Sequence, residues 1–185
     1  MRKYKNQRDC RCPNHLNNGF TLIEVLVTLI VMSVGLLSLA GLQVIGLRNN
    51  HSAYLRSQAT IQSYDIIDRM RVNVQAVEAG NYHQPTIVGS AGTENANCET
   101  TAGCTPAEMA AHDLFSWNQA IANVLPGGVA LVCIDSTPDD GDVASPQCDG
   151  VGSTNPRTAI YTIKIWWDDD SSGTSQQLFF TSFRL

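Results

Sequence analysis

The hydrophobic residues of this chain are concentrated in one stretch near the N-terminus. Residues 20–47 contain a single ionisable side chain, Glu24. A helix over these residues would extend about 42 Å, more than the roughly 30 Å hydrocarbon thickness of a bilayer. The pattern therefore predicts a membrane helix with a carboxylate close to its start. A charge in lipid is costly, so the presence of Glu24 there indicates that the carboxylate has a function.

The helical pattern continues beyond this stretch to about Glu78 without a proline. Apolar residues recur there at spacings that mostly fit one helical face. They are Leu55, Ala59, Ile66, Met70, Val74 and Val77. We predict one long helix, whose first half lies in the membrane and whose second half packs on a head domain.

The rest of the chain predicts a loop, a short helix and three strands. Residues 80–104 are rich in Gly, Asn, Thr and Ser, which is typical of a loop. Thr105, Pro106 and Glu108 then form the capping-box pattern that begins a helix. Strands are predicted at residues 129–135, 159–167 and 178–185, with a turn over residues 168–175. The predicted fold is α+β, with a long N-terminal helix (a membrane half and an amphipathic half) packed on an antiparallel sheet.

Residues 1–18 form a short polar segment with five Lys or Arg residues and one Asp. A basic flank before the first membrane helix is held in the cytoplasm. An ordinary secretory signal carries its cleavage site after the apolar region, so this segment is of another kind. Cys10 and Cys12 lie within it and do not form a recognisable metal site.

A specific motif lies at the start of the apolar stretch. Residues 19–25, GFTLIEV, resemble the processing motif of type IV pilins and type II secretion pseudopilins. The resemblance implies that a prepilin peptidase cuts between Gly19 and Phe20 and methylates Phe20, and that Glu24 acts in assembly. It divides the chain into a cleaved leader (1–19), a transmembrane and assembly helix (20–47) and a periplasmic head (48–185). Cys10 and Cys12 would leave with the leader as cytosolic thiols.

Two later segments, residues 66–73 and 104–128, are similar to PilV-type minor pilins. This similarity implies a minor pilin that helps to prime or modify a type IV pilus, with other minor and major pilins as partners. Such a protein resides in the bacterial inner membrane before assembly and in the pilus at the cell surface afterwards. The alternatives are a minor pseudopilin of a type II secretion system and a membrane-tethered DNA-binding pilus subunit.

The charge of the chain argues against binding to nucleic acid. Loss of the 19-residue leader from 185 residues would leave 166, with seven basic and 16 acidic side chains and a net charge of −9. After Arg71 the only cations are Arg157, Lys164 and Arg184. Nucleic-acid binding proteins carry a basic stripe or patch, and this sequence predicts none.

The cysteines after the leader are Cys98, Cys104, Cys133 and Cys148. The compartment beyond a bacterial inner membrane is oxidising, which favours two disulfides in a small head. We favour Cys98–Cys104 and Cys133–Cys148, because each closes a loop without long-range register, although the sequence leaves the other pairings open. Zinc is the alternative, but no Cys-x-x-Cys or paired His spacing supports it.

Acidic residues cluster at Asp135, Asp139, Asp140, Asp142 and Asp149, a set of possible oxygen ligands for calcium. Because they lack the ligand spacing and closing glutamate of an EF-hand, we predict a solvated acidic loop, with calcium left open. The sequence contains no phosphate-binding loop and no nucleophile elbow, and its histidines are scattered singly. We predict no catalytic residue, no cofactor, no bound metal and no small-molecule substrate.

Overall fold

The computed structural model describes residues 19–87, 92–151, 155, 158–169 and 176–185. The leader residues 1–18, with Cys10 and Cys12, lie outside the described residues, as do Arg157 and the turn residues 170–175. The chain divides into two compact units, Met1–Gly46 and Leu47–Leu185.

The described residues form three α-helices: α1 (Leu22–Val72), α2 (Val74–Glu78) and α3 (Pro106–Val124). The prediction of one continuous helix to Glu78 is wrong, because the helix is interrupted at Asn73. This residue has φ −103° and ψ 56° and separates α1 from α2. The Asn73 side-chain amide donates to the Pro106 carbonyl oxygen at 2.8 Å. A tertiary contact therefore compensates for the interrupted helix. Beyond the break, Val74 is 40% exposed instead of buried as predicted.

Helix α3 begins with the capping box that the sequence predicts. The Thr105 hydroxyl oxygen accepts from the backbone N–H of Glu108 at 3.3 Å, and the Glu108 carboxylate accepts from the Thr105 N–H at 2.8 Å. Further along the helix, the Trp117 indole N–H donates to the Gln62 carbonyl oxygen at 2.8 Å. Trp117 is fully buried and so ties α3 to α1 in the core of the head.

The three strands form one antiparallel sheet in the order β1-β2-β3. They are β1 (Val129–Ile134), β2 (Tyr161–Asp168) and β3 (Gln176–Phe183). In the register, Val132 lies opposite Ile163, and Ile163 lies opposite Thr181. The apolar helix and this sheet confirm the predicted α+β architecture.

Both faces of the sheet are covered, so every residue from 161 to 167 is buried. The inner face, which includes Val132 and Ile163, packs in one core cluster with residues of all three helices. The outer face packs in a second, smaller cluster around Leu131, Cys133 and Trp166. Val143 and Cys148, from the loop that follows β1, cover this outer face.

Candidate functional site

The residues that resemble a processing motif lie at the start of α1. Gly19 and Phe20 precede the helix, and Phe20 is 83% exposed. The Thr21 hydroxyl oxygen accepts from the backbone N–H of Glu24 at 3.3 Å, so Thr21 caps α1. Glu24 consequently lies in the first turn, where a carboxylate interacts favourably with the helix dipole. Thr21 is not among the residues predicted above to act at this site, although its Thr-x-x-Glu spacing is a helix-start signature.

The first unit presents an uncovered apolar helix surface. All residues from 19 to 46 are exposed, and α1 is long and apolar enough to cross a membrane. Thr28, Ser33 and Ser38 each donate their hydroxyl to a backbone carbonyl three or four residues earlier, at 2.8–3.1 Å. Polar groups inside a bilayer must find partners within the protein, and these hydroxyls do so within their own helix.

The part of α1 in the second unit also has an uncovered face. Tyr54, Ile61 and Tyr64 are 57%, 56% and 63% exposed, and their spacing of seven and three places them on one side of the helix. We call these three residues the outer stripe. Leu55 and Ala59, by contrast, are buried in the core of the head. Exposed apolar side chains that share one helical face are typical of an interaction surface.

The cysteines among the described residues form two disulfides, with the pairing that the sequence analysis favoured. Cys98–Cys104 and Cys133–Cys148 have Cα–Cα distances of 4.9 and 6.1 Å. A carboxylate oxygen of Asp135 lies within 4.8 Å of the Cys133 and Cys148 sulfurs, which gives this trio the spacing of a metal site. Because both sulfurs are bonded to each other, neither is a free thiolate that could hold a metal.

The acidic loop, residues 135–150, is organised around a buried lysine of β2. The Lys164 ammonium nitrogen lies 2.6 Å from Asp135 Oδ2 and 3.0 Å from Asp140 Oδ1. It also donates to the carbonyl oxygens of Asp140 and Pro146, at 2.9 and 2.8 Å. The predicted solvated loop is therefore wrong for Asp135, which is buried together with Lys164. It is correct for three residues that are exposed: Asp139, Asp142 and Asp149.

Local contacts fix the loop in this conformation. Gly141 has φ +82°, and a Cβ there would lie 2.5 Å from the Pro146 carbonyl oxygen, so only glycine lets the backbone close around Lys164. The hydrogen bonds from Lys164 and Thr137 hold the pKa of Asp140 below its usual value. Two of the five candidate calcium ligands, Asp135 and Asp140, thus already contact a cationic side chain.

Several cations and histidines of the head are engaged in its structure. Lys164 is buried, and Arg69 forms ion pairs with Asp65 and Asp113 at 3.0 and 3.3 Å. His83 accepts a hydrogen bond from a backbone N–H of β1, and burial lowers the pKa of its imidazole. Within the described ranges, the head accordingly presents neither a basic stripe nor a grouped set of catalytic histidines.

Comparison with known protein families gives two matches. Residues 14–40 match the family described as the prokaryotic N-terminal methylation motif. Residues 41–115 match the family described as Type IV pilin Tt1218. The two matches adjoin and together extend from the residues before Gly19 into α3. No curated protein and no solved structure matches the chain.

Proposed function

Because the chain is a type IV pilin, we propose that it is a minor pilin, a low-copy subunit that helps to prime or modify a type IV pilus. The observation that carries the proposal is the uncovered apolar helix directly behind the methylation motif. Such a surface is stable in lipid or against other apolar helices. A pilin occupies these environments in turn: the inner membrane before assembly and the interior of the filament afterwards.

Processing would give this helix a defined N-terminus. Membership of the family implies contact with a prepilin peptidase, and the methylation-motif match includes both residues of the proposed cleavage site, Gly19 and Phe20. Cleavage would leave a methylated Phe20 four residues before Glu24. We propose that residues 20–47 then anchor the protein and that the head, residues 48–185, lies in the periplasm.

The more specific assignment to minor pilins rests on the two segments that are similar to the PilV type. These segments, which are far apart in the sequence, contact each other in the head. Arg69 of the first segment donates to the Asp113 carboxylate of the second at 3.3 Å, and Tyr82 donates to the same carboxylate at 2.6 Å. A shared, partly buried hydrogen-bond network is a reason for both segments to carry the same subfamily pattern.

The composition of sheared pili tests the minor-pilin assignment. We expect this protein in pili from the native host at far below the amount of the major pilin, as measured by quantitative mass spectrometry with labelled peptides. Deletion of its gene should reduce the number of pili, and a plasmid copy should restore it. Normal pili that lack this protein, together with a defect in protein secretion, would instead identify a pseudopilin.

A further inference from the structure

We propose that the free edge of β3 binds an extended, acidic segment of a neighbouring pilin subunit, which adds a fourth strand to the sheet. The inference rests on the proposed function, because it requires that this protein assemble beside other pilins. It concerns the head, and it is independent of the apolar helix surface.

The two edges of the sheet differ in whether their backbone groups have hydrogen-bond partners within the head. The outer edge of β1 is covered: the Gln84 N–H donates to the Val132 carbonyl oxygen at 2.8 Å, and the Ile134 N–H donates to His83 Nδ1 at 3.1 Å. The Gly150 N–H donates to the Ile134 carbonyl oxygen at 3.0 Å. Folding within the head thus supplies partners for three backbone groups at this edge: the carbonyl of Val132 and both groups of Ile134.

The edge of β3 has no such cover in the part of the chain that the structure describes. Among the described residues, the backbone of Gln176–Phe183 forms hydrogen bonds only with β2. Proteins usually protect an exposed edge with charged residues, proline, a bulge or a short strand. Strand β3 is eight residues long, has an unbroken register with β2, and contains no charged residue, proline or glycine. An edge of this kind is a template for another strand.

A groove beside this edge indicates the chemistry of the partner. It has a volume of about 370 Å³ and lies between β3 and α1; its lining residues are Arg56, Ser57, Thr60, Leu178, Phe179 and Phe180. Arg56 is the only charged residue in the lining, is exposed, and has no ion pair in the described part of the chain. An incoming strand with a carboxylate opposite Arg56 would complement this charge.

The groove also adjoins the outer stripe of α1, the exposed apolar surface formed by Tyr54, Ile61 and Tyr64. Ser57 is three residues from Tyr54 and four from Ile61, and Thr60 is four residues from Tyr64, so they are neighbours on the helix surface. A pilin subunit that packs on the outer stripe would therefore bring its head close to β3. This continuity favours another pilin as the occupant over an unrelated peptide.

Photo-crosslinking of the full chain in piliated cells tests the proposal. A benzophenone amino acid replaces Phe180, which is 42% exposed at the groove, or Val151, which is 62% exposed elsewhere on the head. We expect the Phe180 position to give an adduct that mass spectrometry maps to an acidic, extended segment of another pilin head. An adduct with a helix, with lipid, or equally from both positions would overturn the proposal.

Matched substitutions test the same contact without a crosslinker. Phe180→Lys and Arg56→Glu should each lower the ratio of this protein in pili to that in membranes severalfold, whereas Val151→Lys and Arg71→Glu should leave it unchanged. Equal ratios for all four variants would contradict the role of the edge. If the wild-type protein is found in pili but gives no adduct, only this inference fails. If it is absent from pili, the proposed function fails.

Discussion

Replacing Lys164 with methionine is expected to lower the free energy of unfolding by about 3–5 kcal/mol, because it leaves a buried carboxylate without its partner. The Lys164 and Asp135 side chains are both fully buried and lie 2.6 Å apart. Methionine approximates the length of the lysine stem, so the decrease in the free energy of unfolding reflects the lost charge more than lost packing. Urea denaturation of the full-length protein in detergent, monitored by tryptophan fluorescence, measures the change.

Two control variants separate this effect from general loss of charge. Adding Asp135→Asn to Lys164→Met removes the stranded charge and should recover part of the lost stability. Arg71→Met removes only an exposed ion pair with Asp68, at 3.1 Å, and should cost less than about 1 kcal/mol. If Lys164→Met costs no more than Arg71→Met, the buried lysine does not hold the acidic loop in place.

Replacing Glu24 with alanine is expected to reduce the ratio of protein in pili to protein in membranes at least about tenfold, which corresponds to roughly 1.4 kcal/mol. The family resemblance implies that this glutamate pairs with the methylated N-terminal amine of a neighbouring subunit. Methylation leaves that amine cationic, so the two charges would neutralise each other inside a dry helix bundle. A subunit at the wrong axial position would leave both charges unpaired, so the pair favours the correct register. Quantitative immunoblots of sheared pili and membranes measure the ratio.

The effect should be specific to assembly. Glu24 is exposed and belongs to the first unit, so Glu24→Ala should be processed, inserted in the membrane and folded as the wild type is. Glu24→Gln, which keeps the shape and loses the charge, should behave as the alanine variant does. Thr28→Ala removes a hydroxyl that bonds within its own helix and should assemble normally. An unchanged ratio for Glu24→Ala would show that the carboxylate does not set the register.

Local signals in the sequence predicted most of the elements. The start of α3 follows from the capping pattern of Thr105 and Glu108, in which both hydrogen bonds join residues three apart. The strands and α1 follow from periodicity, which depends on neighbours along the chain. The sequence favoured the observed disulfide pairing over the other possible pairings, because each pair closes a short loop of six or 15 residues in sequence separation.

The features that the sequence did not reveal depend on contacts between distant residues. Asn73 interrupts α1 where its amide reaches Pro106, 33 residues later. Lys164 lies in the strand predicted at residues 159–167, but the strand pattern could not show that a loop covers its face of the sheet. The partners of Lys164 in this loop, Asp140 and Pro146, lie 24 and 18 residues away. Acidic residues that looked solvated therefore proved to be partly internal.

The intact mass of this protein in sheared pili tests the central claim, that the chain is a pilin subunit processed behind Gly19. We predict a single species that has lost residues 1–19 and carries one added methyl group on Phe20, and fragmentation of the N-terminal peptide would locate that group. Protein from a strain without prepilin peptidase should retain Met1 and remain in the membrane. A filament protein that begins at Met1, or one cut beyond Leu47, would contradict the account.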